Sequence, residues 1–191
     1  MDAAAHPDFQ YIYEQYQPRI LRYLARMVDD AEAEDLTQEV FARVANSLAG
    51  FRGDSQLSTW IYRIATNAAL DRLRGLPKPH IVQLEDAEDQ LPDQNAWTGE
   101  REPAVESQVY RNEMNECIRG FVARLPENYR LVLVLGEFEG LKNEQVADIL
   151  GLTLDTVKIR LHRARERLKA ALAAGCGPEW VEGNEFLPEL R

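Results

Sequence analysis

The chain has 191 residues, of which 45% are hydrophobic, enough to build one large domain or two small ones with real cores. Its 22 basic and 32 acidic residues give a net charge of −10, which argues against a protein that holds DNA unaided through bulk charge. Cys117 and Cys176 lack disulfide or metal-ligand spacing, and no membrane span or signal peptide is visible, so we expect a cytoplasmic protein without metal or cofactor.

A first helical domain is predicted over residues 8–75. Its first helix covers about residues 8–27, where Pro18 is expected to kink or restart it. Asp29 or Asp30 is suited to cap the second helix, which ends at Gly50. A third helix follows to about residue 74, with Leu73 predicted inside the core and Asp71 on the surface.

The composition changes at Gly75. Residues 85–106 contain eight acidic side chains against Arg101 alone, and prolines punctuate the surrounding stretch. Such a segment lacks the apolar surface needed to fold independently, so residues 76–108 are predicted to be a flexible acidic linker. Helical spacing returns in a second predicted domain, 109–173, and residues 174–191 form a C-terminal tail.

A helix-turn-helix is predicted between Asn143 and Leu168. Gly151 supplies the positive φ of the turn and Thr153 an N-cap for the second helix. The inward stripe of that helix is Val157, Leu161, Ala164 and Leu168, and its other face carries Lys158, Arg160, His162, Arg163, Arg165 and Arg167. A basic helix of this length suits a DNA major groove, although tight two-helix corners also occur as plain packing motifs.

Three segments then carry a resemblance to a known family. In order they are AEDLTQEVFARV, FRGDSQLSTWIYRIATNAALDRLRG, and the region from LPENYRLVLVLGEFEG through the helix-turn-helix. Together they resemble extracytoplasmic-function, or group 4, sigma factors of the sigma-70 family. The resemblance implies an all-α chain whose two small domains are sigma region 2 and sigma region 4.

By this resemblance, the second helix docks on core RNA polymerase. Asp35, Gln38 and Glu39 would face the clamp helices of the largest subunit, with Phe41 beneath them, and region 4 would meet the flap region. An acidic face suits a basic partner. Carboxylates near a helix N-terminus also stabilise the helix by about 0.3–1 kcal/mol each, which is the simpler interpretation.

The loop that starts at Phe51 and the following helix match the family's element that opens the promoter −10 region. Phe51 and Asn67 are the implied pocket for a flipped base. The implied contacts to the strand and its phosphates are Arg43, Arg52, Tyr62 and Arg63. Trp60 is interpreted as part of the domain core rather than as a strand contact.

The helix-turn-helix would read the −35 element. The resemblance assigns base-edge contacts to Lys158, Ile159, His162 and Arg163, and phosphate contacts to Thr156, Arg160 and Arg165. His162 has an equally good interpretation as a solvated surface imidazole.

The sequence therefore predicts a promoter-specificity subunit without catalytic residues, held in check by an anti-sigma factor and associated with the nucleoid when in holoenzyme. An autonomous helix-turn-helix regulator is the alternative, but it leaves the FRGDS loop without a role. A third hypothesis is a metal-dependent hydrolase built on the acidic cluster Glu32, Glu34, Asp35 and Glu39.

Overall fold

The computed structural model describes residues 8–75 and 118–175. Both ranges are helical and contain no strand, which confirms the predicted all-α class. The predicted linker, the first residues of the predicted second domain and the tail beyond residue 175 lie outside the described residues. No helix within the described ranges is long and apolar enough to cross a bilayer.

The first domain packs three helices around one core. These helices are α1 (Phe9–Leu24), α2 (Asp30–Ser47) and α3 (Leu57–Leu73), with a 3₁₀ turn at Leu48–Gly50 after α2. The Asp29 side chain accepts a hydrogen bond from the Glu32 amide at 2.8 Å, so Asp29 is the cap of α2. α1 continues through Pro18 as one helix, so a restart at this proline is not observed.

The buried arc of α3 is wider than the sequence indicated. Leu73 is 40% exposed, whereas Asp71 is only 6% exposed, so both predictions were wrong. The reason is that α3 packs against α1 and α2 on one side and against the second domain on another. Tyr62, Ala65 and Leu70 therefore join Ile61 and Ala68 in the core and leave the C-terminal end of the helix in solvent.

The second domain consists of four helices in the described range. They are α4 (residues 118–124), α5 (Glu127–Leu133), α6 (Asn143–Leu150) and α7 (Leu154–Gly175). α5 and α7 make the most extensive helix contact, and Leu131, Val132 and Leu133 of α5 are fully buried.

A π-helical turn, Val134–Phe138, extends α5. Its wide winding appears in the hydrogen bond from the Glu139 amide to the carbonyl oxygen of Val134, at 3.0 Å. Gly140 then takes a φ of 65° and ends the segment. Glu139 is thereby held next to the first domain.

The helix-turn-helix corner depends on one left-handed residue, Gly151, whose φ is 66°. An added Cβ would meet no atom within 4 Å at Gly151 or at Gly120 in α4, so the two sites differ chiefly in backbone conformation. We expect Gly151→Ala to destabilise the chain by about 1–2 kcal/mol, the cost of a left-handed alanine.

Gly120→Ala is the matched control. It replaces a helical glycine, so it should stabilise the chain by up to about 1 kcal/mol. Urea unfolding followed by circular dichroism measures both changes. Equal shifts of the two midpoints would contradict the strain argument at Gly151.

Candidate polymerase and nucleic-acid interfaces

The helix-turn-helix has the predicted local geometry. The Thr153 hydroxyl accepts the Thr156 amide at 3.2 Å, so Thr153 caps the N-terminus of α7 as predicted. Val146 and Leu150 of α6 are buried against an inner stripe of α7. That stripe consists of Val157, Leu161, Ala164 and Leu168, each at most 5% exposed.

The predicted −35 residues of α7 fall into two groups that differ in exposure and pairing. Lys158 and Ile159 are exposed in the first turns, and Ile159 exposes 43% of its surface. Thr156, His162 and Arg163 are half-buried beside them. These five residues lie along one end of the helix, where a recognition helix contacts base edges.

Arg160 and Arg165, two of the predicted phosphate contacts, are not free on the outer face of α7. Arg160 is 5% exposed, because α7 packs against both α5 and α6 and the basic face is narrower than the helical spacing indicated. Arg165 is half-buried and forms an ion pair with Glu137 of the π-helical turn. Arg165 is therefore already neutralised within its own domain.

The acidic face of α2 is presented to solvent. Asp35, Gln38 and Glu39 are exposed, and Phe41 lies beneath them at 2% exposure. The ring of Tyr13 from α1 packs edge-on against Phe41, with 5.0 Å between ring centroids.

The predicted −10 residues of α2 and of the loop before α3 have different surroundings. Arg43 pairs with Glu39 one turn away on α2. Arg52 is exposed, and Phe51 is half-buried with its ring 5.1 Å from that of Trp60, centroid to centroid. Trp60 packs partly buried against the core, as its interpretation as a core residue predicted.

Two α3 members of the predicted −10 set, Tyr62 and Arg63, contact the second domain. Tyr62 is fully buried, and its hydroxyl donates to Glu139 at 2.6 Å. Burial, followed by the charge of Glu139, raises the pKa of the Tyr62 phenol well above its ordinary value of 10.0. Arg63 pairs with the Asp148 carboxylate at 2.6 Å, and Asn67 is half-buried one turn further along.

The neighbouring Tyr23 supports Tyr62 from α1. Their rings meet edge to face at 5.5 Å between centroids, and the Tyr23 hydroxyl shares a 2.8 Å hydrogen bond with Thr66. Burial raises the pKa of the Tyr23 phenol above its ordinary value as well. Both phenols are therefore protonated at neutral pH.

Glu139 is a residue that the sequence reasoning missed. It is 7% exposed, and besides Tyr62 it binds Arg26 of the turn that follows α1, with 3.1 Å between Oε1 and Nη1. The available signal was a carboxylate between Phe138 and Gly140, next to the apolar run of α5. Such a position indicates burial but names no partner.

Acidic clusters in the described ranges offer no metal site, since no group of three or more His, Cys, Asp or Glu side chains there is arranged to hold an ion. This includes the α2 cluster on which the hydrolase hypothesis depended. Glu32 instead faces Arg72 of α3 at 3.4 Å.

Comparison with known proteins places both domains. The family model of sigma-70 region 2 matches residues 12–76, and the model of sigma-70 region 4 matches residues 115–168. The RNA polymerase sigma-H factor of Pseudomonas aeruginosa is 39% identical over 168 residues, covering 86% of this chain and 86% of that protein. The chain belongs to the sigma-70 family.

Within that family, this sigma factor is of the extracytoplasmic-function class. The ECF RNA polymerase sigma factor SigW of Bacillus subtilis is 32% identical over 165 residues, covering 86% of this chain and 88% of that protein. The fold is also that of RpoE from Bartonella quintana, solved in complex with the anti-sigma factor NepR. That likeness has a TM-score of 0.62 at 21% identity and covers 86% of this sigma factor and 96% of the other chain.

Proposed function

We propose that this sigma factor binds core RNA polymerase, directs it to promoters with a −35 and a −10 element, and helps to open the DNA. The observation that carries the proposal is that the two domains expose different surfaces. The first exposes an acidic face on α2, and the second exposes a cation and an apolar side chain at the start of a helix-turn-helix recognition helix. In this proposal the sigma factor itself catalyses no reaction.

The polymerase contact is proposed for Asp35, Gln38 and Glu39. Their exposure on one helix supports docking on a basic surface such as the polymerase clamp helices, because opposite charges steer and orient association. Phe41 would act from beneath by holding α2 in place. Region 4 would meet the flap region.

The −10 contacts are proposed for Phe51 and Asn67 at the flipped base, and for Arg43, Arg52, Tyr62 and Arg63 along the strand. An aromatic ring stacks on a base with about 1–3 kcal/mol, and guanidinium groups hold phosphates. Phe51 and Arg52 adjoin each other in the loop before α3, which supports a joint role.

The −35 contacts are proposed for the outer residues at the start of α7, which are Thr156, Lys158, Ile159, His162 and Arg163. Lys158 suits guanine or phosphate, and Ile159 suits the methyl group of thymine. We leave Arg160 and Arg165 out of this set because Arg160 is buried and Arg165 pairs with Glu137, a carboxylate that is itself largely buried, unlike the exposed Glu39 that pairs with Arg43.

The net charge of −10 supports dependence on polymerase, because the isolated chain repels DNA at long range. We place its action in the cytoplasm, at the nucleoid when it is part of holoenzyme. Control by an anti-sigma factor is part of the proposal and is supported by the complex of RpoE with NepR.

The test is transcription in vitro with purified core polymerase that lacks any other sigma factor. Sequencing the transcripts should reveal initiation at a set of promoters sharing two spaced elements. Absence of new initiation on genomic templates would overturn the proposal.

In the same assay, Asp35→Lys should weaken holoenzyme assembly about fivefold, because it reverses a charge at an exposed interfacial position. Native gel titration of core polymerase measures the change. Glu34→Lys is the control, since it makes the same charge change at the adjacent exposed position, turned about 100° around the helix. Equal losses in both variants would indicate a bulk charge effect instead.

A further inference from the structure

The −10 face of α3 is covered by the second domain. Tyr62 and Arg63 of α3 contact Glu139 and Asp148, and α3 packs against α6. Residues assigned to the DNA strand are thus occupied by groups from the same chain.

A buried charge cluster anchors this contact. The Glu139 carboxylate accepts from the Tyr62 hydroxyl at 2.6 Å and from Arg26 at 3.1 Å, and Arg19 donates to the Glu139 backbone oxygen at 3.5 Å. The side chains of Arg26 and Glu139 are 7% and 3% exposed, so each needs the other to offset its lost hydration. The Arg26 guanidinium also lies over the ring of Phe138, 5.2 Å from its centroid.

Weaker polar contacts surround the anchor. Arg63 donates to the Asp148 backbone oxygen at 3.0 Å in addition to its ion pair, and Gln145 donates to Gln56 at 2.8 Å. Exposed ion pairs contribute little individually. Their role here is to fix the orientation in which α6 lies on α3.

The second domain covers only part of the predicted DNA-binding surface. It occupies Tyr62 completely and Arg63 in part, yet Lys158 and Ile159 on the outer face of α7 remain exposed. The second domain therefore occupies two predicted strand contacts of the first domain, while the outer residues at the start of α7 remain accessible.

We propose that the isolated sigma factor is autoinhibited: α6 and the turn at Glu139 cover the −10 strand-binding face, and Glu139 is the residue that holds them there. The inference rests on the −10 role of α3 in the proposed function. Core polymerase or an opened promoter has to separate the domains before the strand can bind. The apparent affinity for the strand is then the intrinsic affinity multiplied by the fraction of open molecules, so it is about tenfold lower for a chain that is about 90% closed.

The experiment uses the full chain with Cys117 and Cys176 replaced by serine and with dyes on cysteines introduced at exposed positions, Gln15→Cys and Lys169→Cys. Energy transfer between the dyes reports the separation of the domains. Anisotropy of a pool of short, random-sequence single-stranded DNA reports strand binding.

Glu139→Ala is expected to lower energy transfer and to raise strand affinity about tenfold. Glu137→Ala is the matched control, because Glu137 lies two residues away and also pairs with an arginine, but with Arg165 of its own domain. It should change neither measurement. Arg26→Gln removes the partner charge from the first domain, so it tests the same contact if Glu139→Ala fails to fold.

Unchanged energy transfer in folded Glu139→Ala or Arg26→Gln would overturn the closed state. Lower energy transfer without a gain in strand affinity would overturn its role as a cover. Failure of the proposed function would be recognised by a different result. Initiation with core polymerase would be absent, while the energy transfer between the two domains would be unaffected.

Discussion

Leu70→Ala is expected to destabilise the first domain by about 2–5 kcal/mol, the largest effect on stability that we predict. Leu70 is a core residue of α3 and only 2% of its surface is exposed. Truncation removes three buried carbon atoms and leaves a cavity that fixed helices close only in part.

Leu73→Ala is the control for this prediction. It makes the same chemical change on the same helix, three residues later, at a side chain that is 40% exposed. Its effect should lie within about 0.5 kcal/mol. Urea unfolding of the full chain gives both free energies, and a loss at Leu73 as large as that at Leu70 would contradict the packing of α3.

Lys158→Ala is expected to cost about 1–3 kcal/mol of promoter affinity, or about 5- to 150-fold, if Lys158 makes the base contact proposed for it. Lys158 is exposed in the first turns of α7, the part of a recognition helix that enters the major groove. The effect should concern the −35 element only, because the first domain reads the other element.

Lys169→Ala removes the same charge from an exposed position further along α7 and serves as the control. Initiation by reconstituted holoenzyme should be measured on templates with the natural and with a scrambled −35 element. We expect Lys158→Ala to lower initiation on the natural template alone and Lys169→Ala to have little effect on either. A loss with Lys158→Ala that persists on the scrambled template would indicate a phosphate contact and contradict base readout.

The helix-turn-helix was predictable because its determinants are local. The positive φ of Gly151, the cap formed by Thr153 and the apolar spacing after Val157 all act within a few residues, so the sequence order contains them directly. The same holds for the cap of α2 at Asp29.

The cover over α3 was not predictable in this way. Glu139 bonds to Tyr62 across 77 positions and to Arg26 across 113, and no periodicity within one helix encodes such a pairing. The errors at Asp71 and Arg160 have a related cause. Helical spacing predicts one inward face, but both helices contact neighbours on more than one side.

The π-helical turn between α5 and α6 directs two nearby carboxylates to different partners. Glu137 binds Arg165 of α7, and Glu139 binds the first domain. An α-helix advances about 100° per residue, so loss of one residue from this turn would swing everything after it by that angle. Glu139 would then miss its pocket even with every side chain intact. Insertions and deletions between positions 134 and 138 should therefore be tolerated less well than substitutions, because here the number of residues is itself part of the fit.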